Sequence, residues 1–136
     1  MARLVLTNAY VTFASTDLSD HIASVSLNTT FDIVETTAFS STAARTRIGG
    51  LADNSISLEF HQDYASGEVE ATIYPLLGTV TTVTVKPVNS ATSASNPLYT
   101  ASALVSEWTP LNGAVGELAT ASVTWPVSGA IVKTTA

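Results

Sequence analysis

Apolar and polar residues alternate along most of this chain, with the two-residue period that is typical of half-buried β-strands. The clearest example is the segment NSISLEFHQ, in which Ile56, Leu58 and Phe60 alternate with polar residues. We therefore expect Phe60 to lie in the core. The same pattern recurs in LVLTNAYVTF, HIASVSLN, TVTTVTVKPV, PLYTASALVSEW and ELATASVTWPV. The pattern predicts a mainly β protein.

One segment, residues 66–77, has a helical pattern instead. Ser66 is a suitable N-cap, and Gly78 is a suitable C-terminal stop. Val69 and Ile73 are spaced so that they share one face of a helix. The sequence predicts one short α-helix here, packed against the strands.

The stretch from residue 35 to residue 54 is rich in Thr, Ser and Ala and predicts a long loop arm. Loops of this length inside a compact domain are usually functional or are ordered by a partner. The arm carries Phe39, Arg45 and Arg47, which we predict to be contact residues for a partner.

The composition adds a reason to expect self-association. A chain of 136 residues has the length of one domain, yet only 12% of its residues are charged, while 21 are Thr and 16 are Ser. Interface cores are depleted in charged residues, because burying charge is costly. The composition favours a subunit of an assembly; the alternative is a monomeric extracellular β-domain with a Thr-rich face.

The charge balance limits the classes of partner. The net charge of −6 argues against binding nucleic acid through its phosphates, because that mode needs clustered Lys and Arg. The chain has no Cys, which excludes disulfides and thiolate metal sites. No segment approaches the roughly 18 consecutive apolar residues of a membrane span. We expect neither a membrane partner nor specific DNA binding.

Candidate chemistry is sparse. The two histidines, His21 and His61, each have an acidic residue nearby, Asp20 and Asp63, and a His–acid pair could serve a metal ion or act as a general base. Spacing supplies no third ligand and no nucleophile, so an exposed strand histidine is the preferred interpretation. The sequence predicts no catalytic residue, no cofactor and no metal, and hence a protein that is not an enzyme.

The two tryptophans, Trp108 and Trp125, lie close to the end of the chain. Residues 105–110 and 118–126 are predicted to pair as an antiparallel hairpin that turns near Gly116. Strand parity favours burial of Trp125 and leaves the burial of Trp108 open. The alternative is a pair of exposed rings that form the stacking platform of a carbohydrate-binding β-sandwich.

The segments TRIGGLADNSISLEFHQDY, VEATIYPLLGTVTTVTVKP and EWTPLNGAVGELATASVTWPVSG resemble the tail tube (major tail) proteins of long-tailed, siphovirus-type bacteriophages, particularly those that infect actinobacteria. The resemblance runs from about Leu4 to Lys133. It implies a β-barrel or sandwich of two packed antiparallel sheets, with a flanking helix at about 66–77 and a loop arm at about 35–54. Residues 1–136 would then form a single tail-tube domain.

This resemblance also implies a function in the virion. Subunits of the family, made in the host cytoplasm, close into hexameric rings, and the rings stack into a hollow tail tube. The tube encloses the tape-measure protein, contacts other tail proteins, and conducts DNA to the host without binding it specifically. The arm would reach a neighbouring subunit or ring, and we expect a channel wall of net negative charge. The alternative within a virion is a capsid decoration or head-to-tail joining protein.

Overall fold

A computed structural model describes residues 3–136. Within them the chain forms one antiparallel sheet of eight strands and one short helix, α1, so the prediction of a mainly β fold is confirmed. None of the described helices is long and apolar enough to cross a membrane. The elements are β1 Tyr10–Phe13, β2 Thr16–Asp17, β3 Ile22–Glu35, β4 Arg47–His61, α1 Val69–Ile73, β5 Val80–Lys86, β6 Leu98–Leu104, β7 Thr120–Val127 and β8 Val132–Thr134.

The sheet folds into two layers at the junction between β6 and β7. The strand order is β2-β1-β5-β6-β7-β4-β3, with β8 added to β6. A single residue pair, Ala103 with Val127, joins β6 to β7, and the Ser128 amide donates to the Ser102 carbonyl at 2.7 Å. The two packed sheets expected from the sequence are therefore two halves of one hydrogen-bonded sheet, connected through a narrow junction.

Three aromatic side chains pack between the two layers. Phe13 on β1 lies 5.5 Å from Phe60 on β4 and 6.1 Å from Trp125 on β7, measured between ring centroids. All three are fully buried, with 0% exposure. The predicted alternation places Ile56 and Leu58 beside them, also buried. This cluster is the contact that holds the two layers together.

Helix α1 is shorter than the sequence predicts. It covers Val69–Ile73, and a 3-10 turn, Tyr74–Leu76, extends it in place of regular α-helix. The predicted start was wrong, because Glu68 rather than Ser66 occupies the N-cap position. The intervening Gly67 has φ of +78°, a left-handed conformation that a right-handed helix cannot include.

The predicted C-terminal hairpin was also wrong. Residues 105–119 form no strand, and β7 pairs with β4, where Trp125 lies opposite Ile56. The segment before β7 runs alongside it and accepts a hydrogen bond from Trp125 Nε1 at the Glu107 carbonyl, at 2.8 Å. Trp108 is half-buried, with its ring 5.4 Å from that of Phe60. The two rings therefore do not form an exposed platform for stacking on a sugar.

We expect Trp125→Ala to lower the free energy of unfolding by about 3 to 5 kcal/mol, because it leaves a cavity between the two layers. Urea unfolding followed by circular dichroism measures this loss. The matched control is Thr124→Ala at the neighbouring exposed position, where a change within about 0.5 kcal/mol is expected. Equal stability of the two variants would contradict the assigned role of the aromatic cluster.

Candidate assembly surface: the projecting hairpin and the edge of β3

Strands β3 and β4 form a hairpin that is longer than the core beneath it. β3 has 14 residues and β4 has 15, but the buried positions of β4 begin only at Asn54. The paired positions between Thr29 and Asp53 extend beyond the two layers, and every residue of this range except the half-buried Gly50 is exposed. We call residues 29–53 the projecting hairpin.

The predicted loop arm lies in this hairpin, with different boundaries. Only residues 36–46 connect the strands, whereas residues 47–54 belong to β4, so the prediction of a loop over 35–54 was partly wrong. The reason is that residues 47–53 have no buried face, and no apolar–polar alternation marks them in the sequence. The strand register shifts between Phe31 and Ile33, and Gly50 lies opposite this shift. A Cβ at Gly50 would lie only 2.9 Å from Val34 Cγ2, so a larger residue would not fit there without a shift of its neighbours.

The projecting hairpin carries large apolar side chains on both faces. Phe31 and Ile33 continue the face that carries the core-facing residues of β3, and Ile33 is 75% exposed. Val34 and its cross-strand partner Ile48 lie on the opposite face. Leu51, at the register shift, is 79% exposed. These exposed apolar side chains make the hairpin a candidate contact surface.

The three arm residues predicted from the sequence lie at the tip of this hairpin. Phe39 is fully exposed in the connecting loop. Arg45 Nη1 lies 2.9 Å from Glu35 Oε1, and Arg47 is the cross-strand partner of Glu35. The structure thus pairs Arg45 with the Glu35 carboxylate, places Arg47 opposite Glu35 in the strand pair, and leaves Phe39 in the loop.

The exposed apolar residues of the hairpin strands were not predicted from the sequence. The signal was present in the segment FDIVE, where Phe31 and Ile33 are separated by the charged Asp32. Alternation of apolar and charged residues is typical of a half-buried strand at the edge of the core. Only the structure shows that the core ends before it.

The free edge of β3 is the second feature of this surface. Across residues 3–136, β3 hydrogen-bonds only to β4, so its outer edge from Ile22 to Glu35 has no backbone partner. Such an edge is a template for pairing with another chain, and proteins that stay monomeric usually blunt it with Pro, bulges or charge. The run of residues 24–31, between the two register shifts, is regular and has no Pro and no charged residue, so this part of the edge favours association.

The outer face of β3, β4 and β7 is polar and acidic. Its acidic residues are Asp32, Asp53 and Glu59, and its other positions on these strands are mostly Ser, Thr and Asn. The basic residues Lys86 and Lys133 lie on β5 and β8, in the other half of the sheet. The outer face of these strands therefore carries three acidic residues and neither of the two lysines.

A separate cluster surrounds His21, next to the start of β3. Its Nδ1 lies 2.9 Å from Asp20 Oδ1 and 3.5 Å from Glu68 Oε2, and its Nε2 lies 2.9 Å from Asp63 Oδ2. Spacing in the sequence did not predict this group, because His21 and Asp63 are 42 residues apart. Asp63 is close to His61 in the sequence, but in the structure it pairs with His21.

The electrostatics of this cluster favour a charged imidazole. Partial burial of His21 opposes its charge, but the hydrogen bonds to Asp20 and Asp63 and the nearby charge of Glu68 outweigh burial and raise the pKa of His21 above 6.5. The hydrogen bond from the Ala65 amide, followed by the contact with His21, lowers the pKa of Asp63 below 3.8.

The same cluster could be considered for metal binding, since ligand atoms of His21, Asp63 and Glu68 lie within 4.8 Å of one another. A histidine binds a metal ion through a free lone pair. Here both ring nitrogens are within hydrogen-bond distance of a carboxylate oxygen, which suits a protonated ring that donates twice. The geometry favours an ion-pair cluster.

Comparison with known proteins gives a structural likeness. No family model matches the chain, and no curated protein matches it. Among solved structures, a chain from the virion of a native gene transfer agent particle superposes with a TM-score of 0.74 at 14% identity, covering 93% of this chain and 95% of that one. A chain from the tail of an empty gene transfer agent particle, refined with C6 symmetry, gives a TM-score of 0.66 at 17% identity, with 85% and 83% coverage.

A third neighbour is a chain of the sheath/tube terminator of an extracellular contractile injection system, in its extended state. Its TM-score is 0.71 at 14% identity, with 98% of this chain and 97% of that chain covered. At such low identity the likeness establishes the fold alone. The chain therefore has a mainly antiparallel, tail-tube-like fold with one short helix.

We expect Arg45→Ala and Phe39→Ser to change the free energy of unfolding by no more than about 0.5 kcal/mol. Both side chains are exposed at the hairpin tip, and the ion pair of Arg45 is solvated. Urea denaturation of the monomer measures the effect. A loss of stability as large as that of a core substitution would mean that the tip packs against its own subunit.

Proposed function

We propose that this protein is a tail tube subunit, copies of which close into hexameric rings that stack as a hollow tube. The observation that carries the proposal is the projecting hairpin, which presents Phe31, Ile33 and the free edge of β3 to solvent on a tail-tube-like fold. An isolated subunit leaves this apolar surface in water. A neighbouring copy would cover it.

The geometry of the hairpin suits a head-to-tail interface. An interface in which each copy offers a projecting element to a different surface of the next copy closes into a ring when the rotation allows, and a second interface along the axis gives a filament. Phe39, Arg45 and Arg47 at the tip are proposed to contact the neighbouring subunit or ring. The C6 symmetry of the gene transfer agent tail supports six copies per ring.

The acidic outer face supports the assignment of a channel wall. If the face that bears Asp32, Asp53 and Glu59 lines the tube, DNA meets like charge and finds no phosphate-binding site, so it slides without being held. The tape-measure protein would occupy the same space before DNA passes. The siphovirus and actinobacteriophage assignments rest on the resemblance in sequence, and so does the treatment of residues 1–136 as one tail-tube domain.

Electron microscopy of concentrated protein tests the assembly. We expect the wild-type chain to form rings or tubes with a central channel, and we expect the double variant Phe31→Ser, Ile33→Ser to remain monomeric with an unchanged fold, because it removes only exposed apolar surface. The control is Val115→Ser, which removes a fully exposed apolar side chain outside the hairpin.

Two results would count against the assembly proposal in different ways. A wild-type chain that stays strictly monomeric at high concentration would overturn the tube function. A double variant that forms tubes as readily as the wild type would leave the tube function intact and overturn the role of the hairpin.

DNA retention tests the channel wall. We expect tubes of the variant Asp53→Lys, Glu59→Lys to retain a duplex oligonucleotide at about 50 mM salt, because the new charges supply phosphate contacts, whereas wild-type tubes do not retain it. The control is Glu117→Lys, which changes charge in the exposed loop before β7. A cryo-EM map in which Lys86 and Lys133 face the lumen would contradict the assignment.

A further inference from the structure

The cluster around His21 joins parts of the fold that are distant in sequence. His21 ends the 3-10 turn Ser19–His21 and directly precedes β3, while Asp63 and Glu68 lie in the segment that leads from β4 into α1. Three carboxylates therefore converge on one imidazole, Asp20 from its own turn and the other two from the segment before α1. These are the charged groups in contact with the ring among the described residues.

Helix α1 is held at its centre by Val69 and Ile73, which are buried in the core, and at its N-terminal end by the segment that precedes it. The helix has only five residues, its N-cap residue Glu68 makes no side-chain capping hydrogen bond, and a helix so short is not stable alone. Asp63 supplies two hydrogen-bond acceptors near the start of the helix. Its carbonyl accepts from the Glu70 amide at 3.0 Å, and its carboxylate accepts from the Ala65 amide at 2.9 Å.

The protonation state of His21 determines how many of these contacts are made. A protonated ring donates from both nitrogens, to Asp20 on one side and Asp63 on the other. A neutral ring keeps one donor and turns a lone pair toward the second carboxylate, which is repulsive. Loss of one proton therefore removes one of the two hydrogen bonds and the attraction to Glu68.

We propose that His21 is a pH-operated clasp that holds helix α1 and the segment before it against the start of β3. Near pH 6 the clasp is closed; as the pH rises through the titration of His21, local opening of residues 62–73 becomes more frequent, while Val69 and Ile73 still favour the packed position of the helix. This inference concerns the isolated subunit and does not depend on tube formation.

The sign of the pH effect follows from the two titrating partners. Because the pKa of His21 is raised in the folded protein, its stabilisation is complete below 6.5 and is lost as the pH rises through the folded-state pKa. The pKa of Asp63 is lowered, so its contribution is present above 3.8 and is lost only in stronger acid. Between pH 6 and pH 8.5 the change therefore comes from the histidine.

Amide hydrogen exchange tests the clasp in the wild-type monomer. After correction for the intrinsic exchange rate, we expect protection of residues 65–73 to fall severalfold between pH 6 and pH 8.5, while protection of β4 and β7 remains. An NMR titration of the two histidines in the same sample should show that the loss follows the titration of His21, with a midpoint above 6.5, the reference value of a histidine.

Three variants separate the clasp from a purely structural role. His21→Gln should give weak protection of residues 65–73 at both pH values, because the side chain no longer titrates. Asp63→Asn should weaken the pH dependence. His61→Gln, which removes the other histidine, should behave as the wild type, and the amino terminus, which titrates in the same range, is unchanged in all three.

The proposal is overturned if wild-type protection of residues 65–73 is independent of pH, or if His21→Gln retains the wild-type pH profile. If the His21→Gln chain fails to fold, the pH profiles of the wild type and of His61→Gln test the proposal. In these two proteins a pH profile that follows His21 supports the clasp, and a profile that follows any other group refutes it. Failure of the clasp would not alter the outcome of the electron microscopy on the wild-type chain.

Discussion

The packing of Phe13, Phe60 and Trp125 is the interaction on which the rest of this structure depends. The two layers belong to one sheet, but a single residue pair between β6 and β7 joins them through the backbone, so hydrogen bonding alone cannot fix their relative position. Burial of three large aromatic side chains between the layers does so. The aromatic contact also orients β4, and with it the direction in which the hairpin projects.

The hairpin uses one pair of strands for two purposes. The inner parts of β3 and β4 cover the core, while the outer parts extend into solvent and keep their backbone pairing without any layer behind them. A hairpin of this length is stable because its base is anchored by Ile56, Leu58 and Phe60. The apolar side chains that it exposes, together with the open edge of β3, give a surface suited to a second copy of the chain.

The sequence predicted most of the sheet and little of the assembly surface. Strands β4, β5 and β7 were recognisable because each has one buried face, which leaves a period of two in the sequence. Residues 36–53 of the hairpin have no buried face, and their Thr, Ser and Gly residues indicate a loop, whereas residues 31–35 have the alternation of a half-buried strand although the core does not reach them. The His21 cluster was not recognisable either, since it forms only when the turn before β3 meets the segment after β4.

By itself, the sequence determined the class of fold, the burial of Phe60 and Trp125 by strand parity, and the acidic, charge-poor composition. These properties depend on the residue and its immediate neighbours along the strand. The tertiary structure decided which strands pair and where the core ends along β3 and β4. It also decided the partner of Trp108, whose Nε1 donates a hydrogen bond to Glu70 Oε2 at 2.8 Å. Those properties depend on contacts between distant segments, and local alternation carries no information about which distant strand will lie opposite.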